Sequence, residues 1–212
     1  QVRIKICGLT RREDLRDAVA AGADALGLVF YPPSPRCVDL RTAAQLARAV
    51  PPFVTLVGLF VNVPAEQVAA VLDQCGLDLA QLHGDEPAGN FTALHGRAFK
   101  ALRPATLEQA LEEADRFGPL GVTAGPQLLI DAYDPRAYGG TGHKADWHAA
   151  AQVAQRFDRV LLAGGLTPAN VAAAVGAVQP WGVDVASGVE STPGRKDHDA
   201  VRRFVAAAKG AG

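Results

Sequence analysis

Eight short apolar runs recur along the chain, each followed by a stretch with helical spacing. The strand candidates are Val2–Cys7, Ala25–Phe30, Thr55–Val61, Leu77–His83, Arg97–Leu102, Gln127–Asp131, Arg159–Ala163 and Gly182–Ala186. Several are apolar without interruption, as strands covered on both faces have to be. Spread over 212 residues, the eight units have about 26 residues each, enough for a small (β/α)8 barrel. An open doubly wound sheet is the structural alternative. The units show no break in composition, and the first strand does not lead into a G-x-G-x-x-G turn. The chain is therefore expected to be α/β and to close as a single TIM barrel domain spanning residues 1–212.

Helix boundaries have their own signals. Thr10 with Glu13, and Thr106 with Gln109, have capping-box spacing. Asp39 and Asp197 are expected to cap the second and last helices, and Thr167 before Pro168 the seventh. Asn62 or Val63 precedes Pro64, which suits the first turn of the third helix. Gly22 sits where a helix end favours a left-handed residue.

Bulk properties exclude several partners. A net charge of −1 leaves no electrostatic footprint for nucleic acid or a membrane surface. No apolar run has the length of a membrane span. Gln1–Lys5 runs directly into strand alternation, so no secretory leader is expected there. Cys7, Cys37 and Cys75 are odd in number and lack repeating spacing, which favours a reducing cytoplasm over a disulfide framework. No two of the five histidines have metal-motif spacing, so no metal is expected.

In a barrel, chemistry is built at the C-terminal ends of the strands. Cys7 ends the first strand and Asp131 the sixth. A cysteine there can be a small buried hydrophobe, with a thiol mostly protonated near a reference pKa of about 8.5. A carboxyl there can be a cap, or a half-desolvated general acid. Gly164 and Gly165 follow the seventh strand, and Asp184, Ser187 and Gly188 belong to the eighth and its loop. Glycines in these two loops let backbone N–H groups approach a phosphate. Arg36, after the second strand, can fork onto a carboxylate. His83 ends the fourth strand as either a structural or a substrate-facing residue. Gly142 lies in a Gly-Gly-Thr-Gly stretch that reads as a loop or a lid.

Taken together, Lys5–Thr10, Gln81–Glu86, Leu129–Ala132, Gly139–Gly142, Ala163–Leu166 and Asp184–Glu190 with Pro193–Asp197 resemble phosphoribosylanthranilate isomerase. The matches run in order along nearly the whole chain. The resemblance implies a cofactor-free Amadori rearrangement of a phosphorylated ribosylamine in tryptophan biosynthesis, with Cys7 as general base and Asp131 as general acid. It further implies that Arg36 holds the anthranilate carboxylate and that the loops after strands seven and eight hold the phosphate. Ala186 departs from the serine of many relatives, which leaves backbone donors to act there. A histidine-pathway sugar-phosphate isomerase would call for Asp where this chain has Cys7. An indole-ring synthase would call for catalytic Lys and Glu at strand ends, and a non-catalytic sugar-phosphate binder would need neither Cys7 nor Asp131. The chain is expected to work as a monomer or homodimer on a small-molecule substrate.

Overall fold

Along the first strand the even positions are Ile4 and Ile6, packed in the shell between strands and helices, while Lys5 and Cys7 point to the barrel axis. The period of two in strand side chains sorts residues this way all round the barrel. The computed structural model describes residues 1–131 and 146–212. Its parallel strands are β1 (Arg3–Ile6), β2 (Ala25–Val29), β3 (Thr55–Phe60), β4 (Leu79–Leu82), β5 (Ala98–Leu102), β6 (Leu128–Ile130), β7 (Val160–Leu162) and β8 (Gly182–Val185). They pair in chain order, and β8 closes on β1 with Lys5 opposite Asp184. Each lies inside the apolar run expected to form it.

Outside stand α1 (Arg12–Ala21), α2 (Leu40–Ala47), α3 (Ala65–Cys75), α4 (Ala88–Ala93), α5 (Leu107–Phe117), α6 (Trp147–Arg156), α7 (Val171–Val178) and α8 (His198–Ala211). A small antiparallel ribbon, β9 (Glu190–Thr192) with β10 (Arg195–Lys196), follows β8. Among the described residues, no helix is long and apolar enough to cross a membrane.

Two apolar layers hold the barrel. Outward residues such as Leu26, Leu28, Leu128, Leu162 and Val183 pack against Leu15, Leu72, Val153 and Phe204 of the helices. Inward, Val57, Phe99, Ala101, Leu129, Leu161 and Ala163 fill the lower cylinder. Each fully buried Leu or Phe contributes roughly 1.5–3 kcal/mol, so the many such residues outweigh the few charges buried among them.

Asp39, Thr106 and Asp197 cap their helices through Thr42, Gln109 and Ala200 N–H groups, and Gly22 ends α1 at φ 96°. Three expected starts differ. Thr10 does not cap α1; its hydroxyl donates to the Gly194 carbonyl at 2.6 Å and ties the loop after β1 to the β9–β10 turn. Thr167 does not cap α7, which begins only at Val171; Asn170 instead accepts from the Thr167 N–H at 2.8 Å and donates to the Gly165 carbonyl at 3.0 Å. Pro64 is itself the cap residue of α3, and the Asn62 side chain accepts from the Asp85 N–H at 2.7 Å. At Thr10 and Asn62 a bond to another loop takes the place of the local cap, whereas at Thr167 the loop after β7 closes on itself through Asn170.

Candidate active site

Cys7 follows β1, His83 follows β4, Asp131 follows β6, Gly164 and Gly165 follow β7 closely, and Ser187 and Gly188 do the same after β8. Strand alternation turns Cys7, His83 and Asp131 toward the axis at the same end of the cylinder. Gly142 lies outside the described residues.

Cys7 is 3% exposed and packs with Val29, Leu59 and Val61, flanked by Tyr31 and Ala186. Burial pushes its thiol above the ordinary range, against the pull of the Lys5 and Lys196 ammonium groups, while Asp184 adds to the rise. Below it on the same strand face, Lys5 donates to Asp184 Oδ1 at 2.9 Å, with 2% of its side chain exposed. Burial alone would lower the Lys5 pKa, but Asp184 and Cys7 raise it overall. Asp184 is therefore engaged with Lys5 in the barrel interior. Gly27 of β2 supplies the space for this arrangement. A β-carbon there would stand 2.6 Å from Cys7 Sγ and 3.1 Å from Lys5 Nζ.

Across the barrel mouth, the Asp131 side chain is 9% exposed. His83 Nε2 lies 3.1 Å from its Oδ2, inside ion-pair range but off the line a hydrogen bond needs. Gln81 Nε2 is 2.9 Å from His83 Nδ1. With that amide donating, the ring carries its proton on Nε2, the atom that faces Asp131.

Arg36 reaches the site over Gly8, where a β-carbon would meet its Cδ at 2.5 Å. Its Nε and one terminal nitrogen fork onto the Glu190 carboxylate at 2.9 and 2.8 Å. Lys196 donates to the same carboxylate at 2.9 Å and to the Ala186 carbonyl at 3.0 Å. Burial raises the Glu190 pKa, but Arg36 and Lys196 outweigh it and hold the carboxyl below its usual range. Burial lowers the Lys196 pKa more than Glu190 restores it. Gly164 and Gly165 take φ of 84° and 65°, left-handed backbone that glycine adopts without strain. Ser187–Val189 form one 3-10 turn directly after Ala186.

The structure thus brings Cys7, Asp184 and the β8 loop together, sets Asp131 against His83, and anchors Arg36 through Glu190. Lys5, Glu190 and Lys196 had no role in the sequence reading. Lys5 was within reach of it, since a residue two before a mouth residue on a barrel strand faces the same axis. Glu190 and Lys196 meet only through the β9–β10 turn, which left no apolar pattern. No group of three metal-ligating side chains occurs among the described residues.

The profile of a protein family described as N-(5'-phosphoribosyl)anthranilate (PRA) isomerase matches residues 4–207. A relative from Geobacter sulfurreducens, named N-(5'-phosphoribosyl)anthranilate isomerase, is 48% identical over 209 residues, covering 99% of this chain and 99% of its own length. The crystal structure of the phosphoribosyl anthranilate isomerase of Thermotoga maritima superimposes with a TM-score of 0.89 at 38% identity, over 99% of this chain and all of that one. A second solved structure, at 37% identity and a TM-score of 0.86, covers 99% of this chain and 100% of its own. It is a phosphoribosyl anthranilate isomerase in complex with reduced 1-(o-carboxyphenylamino)-1-deoxyribulose 5-phosphate.

Proposed function

Since the chain belongs to the N-(5'-phosphoribosyl)anthranilate isomerase family, we propose that it carries out the Amadori rearrangement of N-(5'-phosphoribosyl)anthranilate in tryptophan biosynthesis, with Cys7 as base and Asp131 as acid. One observation carries the assignment: Cys7 and Asp131 end strands on either side of the β7–β8 loops, in a barrel where β6, β7, β8 and β1 are consecutive neighbours. A phosphate held at Gly164, Gly165, Ser187 and Gly188 sets the ribose between the two groups. The aromatic ring then extends past Cys7 toward Arg36.

In this arrangement Asp131 gives its proton to the furanose ring oxygen, and the ring opens to a Schiff base. Cys7 takes the proton from C2′; the C2′–H electron pair becomes the C1′=C2′ double bond, and the C1′=N π pair moves on to the substrate's own nitrogen. The resulting enolamine tautomerises to the ketone. Because that nitrogen is the electron sink, the chemistry requires no added cofactor. Arg36 binds the anthranilate carboxylate, which keeps its charge throughout. His83 acts through Asp131 rather than on substrate. The three cysteines are free thiols, in keeping with a reducing compartment such as the cytoplasm.

The test is the loss of anthranilate substrate fluorescence on turnover, followed for Cys7→Ser and Asp131→Asn. Each should lose about 10²–10⁴-fold in kcat with modest change in KM, while circular dichroism shows an intact fold. Near-normal turnover by both folded variants overturns the acid–base assignment.

A further inference from the structure

Lys5 is a buried cation that the steps above leave idle. It sits two residues before Cys7 on the same inward face of β1, with its side chain 2% exposed. Its Nζ is fixed by Asp184 Oδ1 at 2.9 Å, directly across the β1–β8 seam where the barrel closes. Its Nζ and Cys7 Sγ both border the space left by Gly27, 3.1 and 2.6 Å from where a β-carbon would stand there. An ammonium in so dry a place is kept only where anionic partners surround it. Asp184 is one such partner, and Cys7 in its thiolate form would be the second.

Resting on the reading of Cys7 as base, we infer that Lys5 is a positioning residue for the reaction: held by Asp184, its ammonium is the fixed counter-charge against which the Cys7 thiolate forms. The thiol proton leaves to solvent when the thiolate forms, and Lys5 keeps its own throughout. Lys5 therefore never touches the sugar. Its effect is to raise the fraction of enzyme that carries a usable base.

The charged groups facing Cys7 come from three strands: Lys5 on β1, Asp184 on β8 and Lys196 on β10. β2 presents the apolar Val29 and the loop after it the ring of Tyr31, and β3 presents Leu59 and Val61. Lys196 is committed to Glu190 and the Ala186 carbonyl, whereas Lys5 is the cation directly below the sulfur. Asp184 has two opposed effects. It fixes Lys5 in place, and its own negative charge resists the thiolate.

Those opposed effects give the test a sign. Thiolate absorbance in the ultraviolet is titrated on substrate-free enzyme, with Cys7→Ser as the blank. Lys5→Met should move Cys7 ionisation to higher pH, leaving at least about tenfold less thiolate at a given pH, which is one unit of pKa. The acid limb of kcat/KM should move with it. Lys5→Arg, which keeps the charge, should stay near the wild-type titration. Asp184→Asn should move the titration to lower pH, since the amide oxygen still accepts from Lys5 but carries no charge. A pair that merely filled space would shift both titrations the same way.

An unmoved titration in folded Lys5→Met, or an upward shift in Asp184→Asn, overturns the inference. If Lys5→Met does not fold, the direction of Asp184→Asn decides it alone. The titration is read without substrate, so an active Cys7→Ser, which would sink the base assignment, is a separate result.

Discussion

Gly188 lies so close to Leu166 that a β-carbon on the glycine would overlap the leucine's carbonyl oxygen. The two proposed phosphate loops are therefore in close backbone contact at this point. Backbone cannot yield as a flexible side chain would. Gly188→Ala should raise KM for the phosphorylated substrate and cost about 1–3 kcal/mol of stability, as forced overpacking does. A urea melt and steady-state kinetics check both, and an unchanged pair of values would mean that the loops part freely.

Arg36 is anchored on one edge by Glu190, so its contact with substrate should be a binding contact. Arg36→Ala should raise KM with little change in kcat, by about 1.5–3 kcal/mol for a hydrogen bond to a charged group. Normal KM with collapsed kcat would place Arg36 in the chemistry instead.

Glu190 also links folding to pH. Its folded pKa is depressed below the ordinary 4.5, so it stabilises the fold at pH values above that figure. That contribution is lost as pH falls through the lower folded value. Wild-type stability should therefore decline on acidification over that interval. Glu190→Gln should be less stable at neutral pH and decline less, as followed by urea melts from neutral to acid pH.

His83→Ala should leave Asp131 without the ring that faces it. Misplacement of a reacting group by an ångström can cost up to about 10²-fold, so kcat should fall by as much while KM stays near normal. A variant whose KM rises at constant kcat would restore His83 to direct substrate contact.

Phe53 is fully exposed at φ 70°, a left-handed conformation that a bulky residue adopts at a cost. It borders a cavity of about 270 Å³ at the lower end of the barrel, among Ala25, Val57, Phe99 and Leu161. In a monomer, Phe53→Asn should stabilise by up to about 1 kcal/mol, because asparagine takes the left-handed region at less cost than a bulky ring. A destabilisation that depends on protein concentration would mean that a second copy covers the ring.

The strands and their order were legible because outward and inward faces are both apolar, which leaves uninterrupted runs between helical patterns. The mouth residues Cys7, His83 and Asp131 followed from those strand ends alone. Side-chain pairing was less legible. Lys5 and Asp184 are 179 positions apart and meet only because the first and last strands close the ring. Arg36 and Glu190, 154 apart, meet through a two-strand ribbon with no hydrophobic pattern to announce it. Thr10 and Thr167 carried local cap signals, yet a contact from a distant loop displaced the first and Asn170, three residues on, reorganised the second.

Cys7 is walled in by Val29, Leu59 and Val61, and its thiol is held in the protonated form by burial. Oxidation to sulfenic acid follows thiolate character and exposure, and both are low there. Cys37 is only half-buried, and burial raises its thiol as well. Accessibility rather than thiolate character therefore separates the two sulfurs, and the one assigned to the reaction is the one that peroxide in the surrounding water reaches with more difficulty.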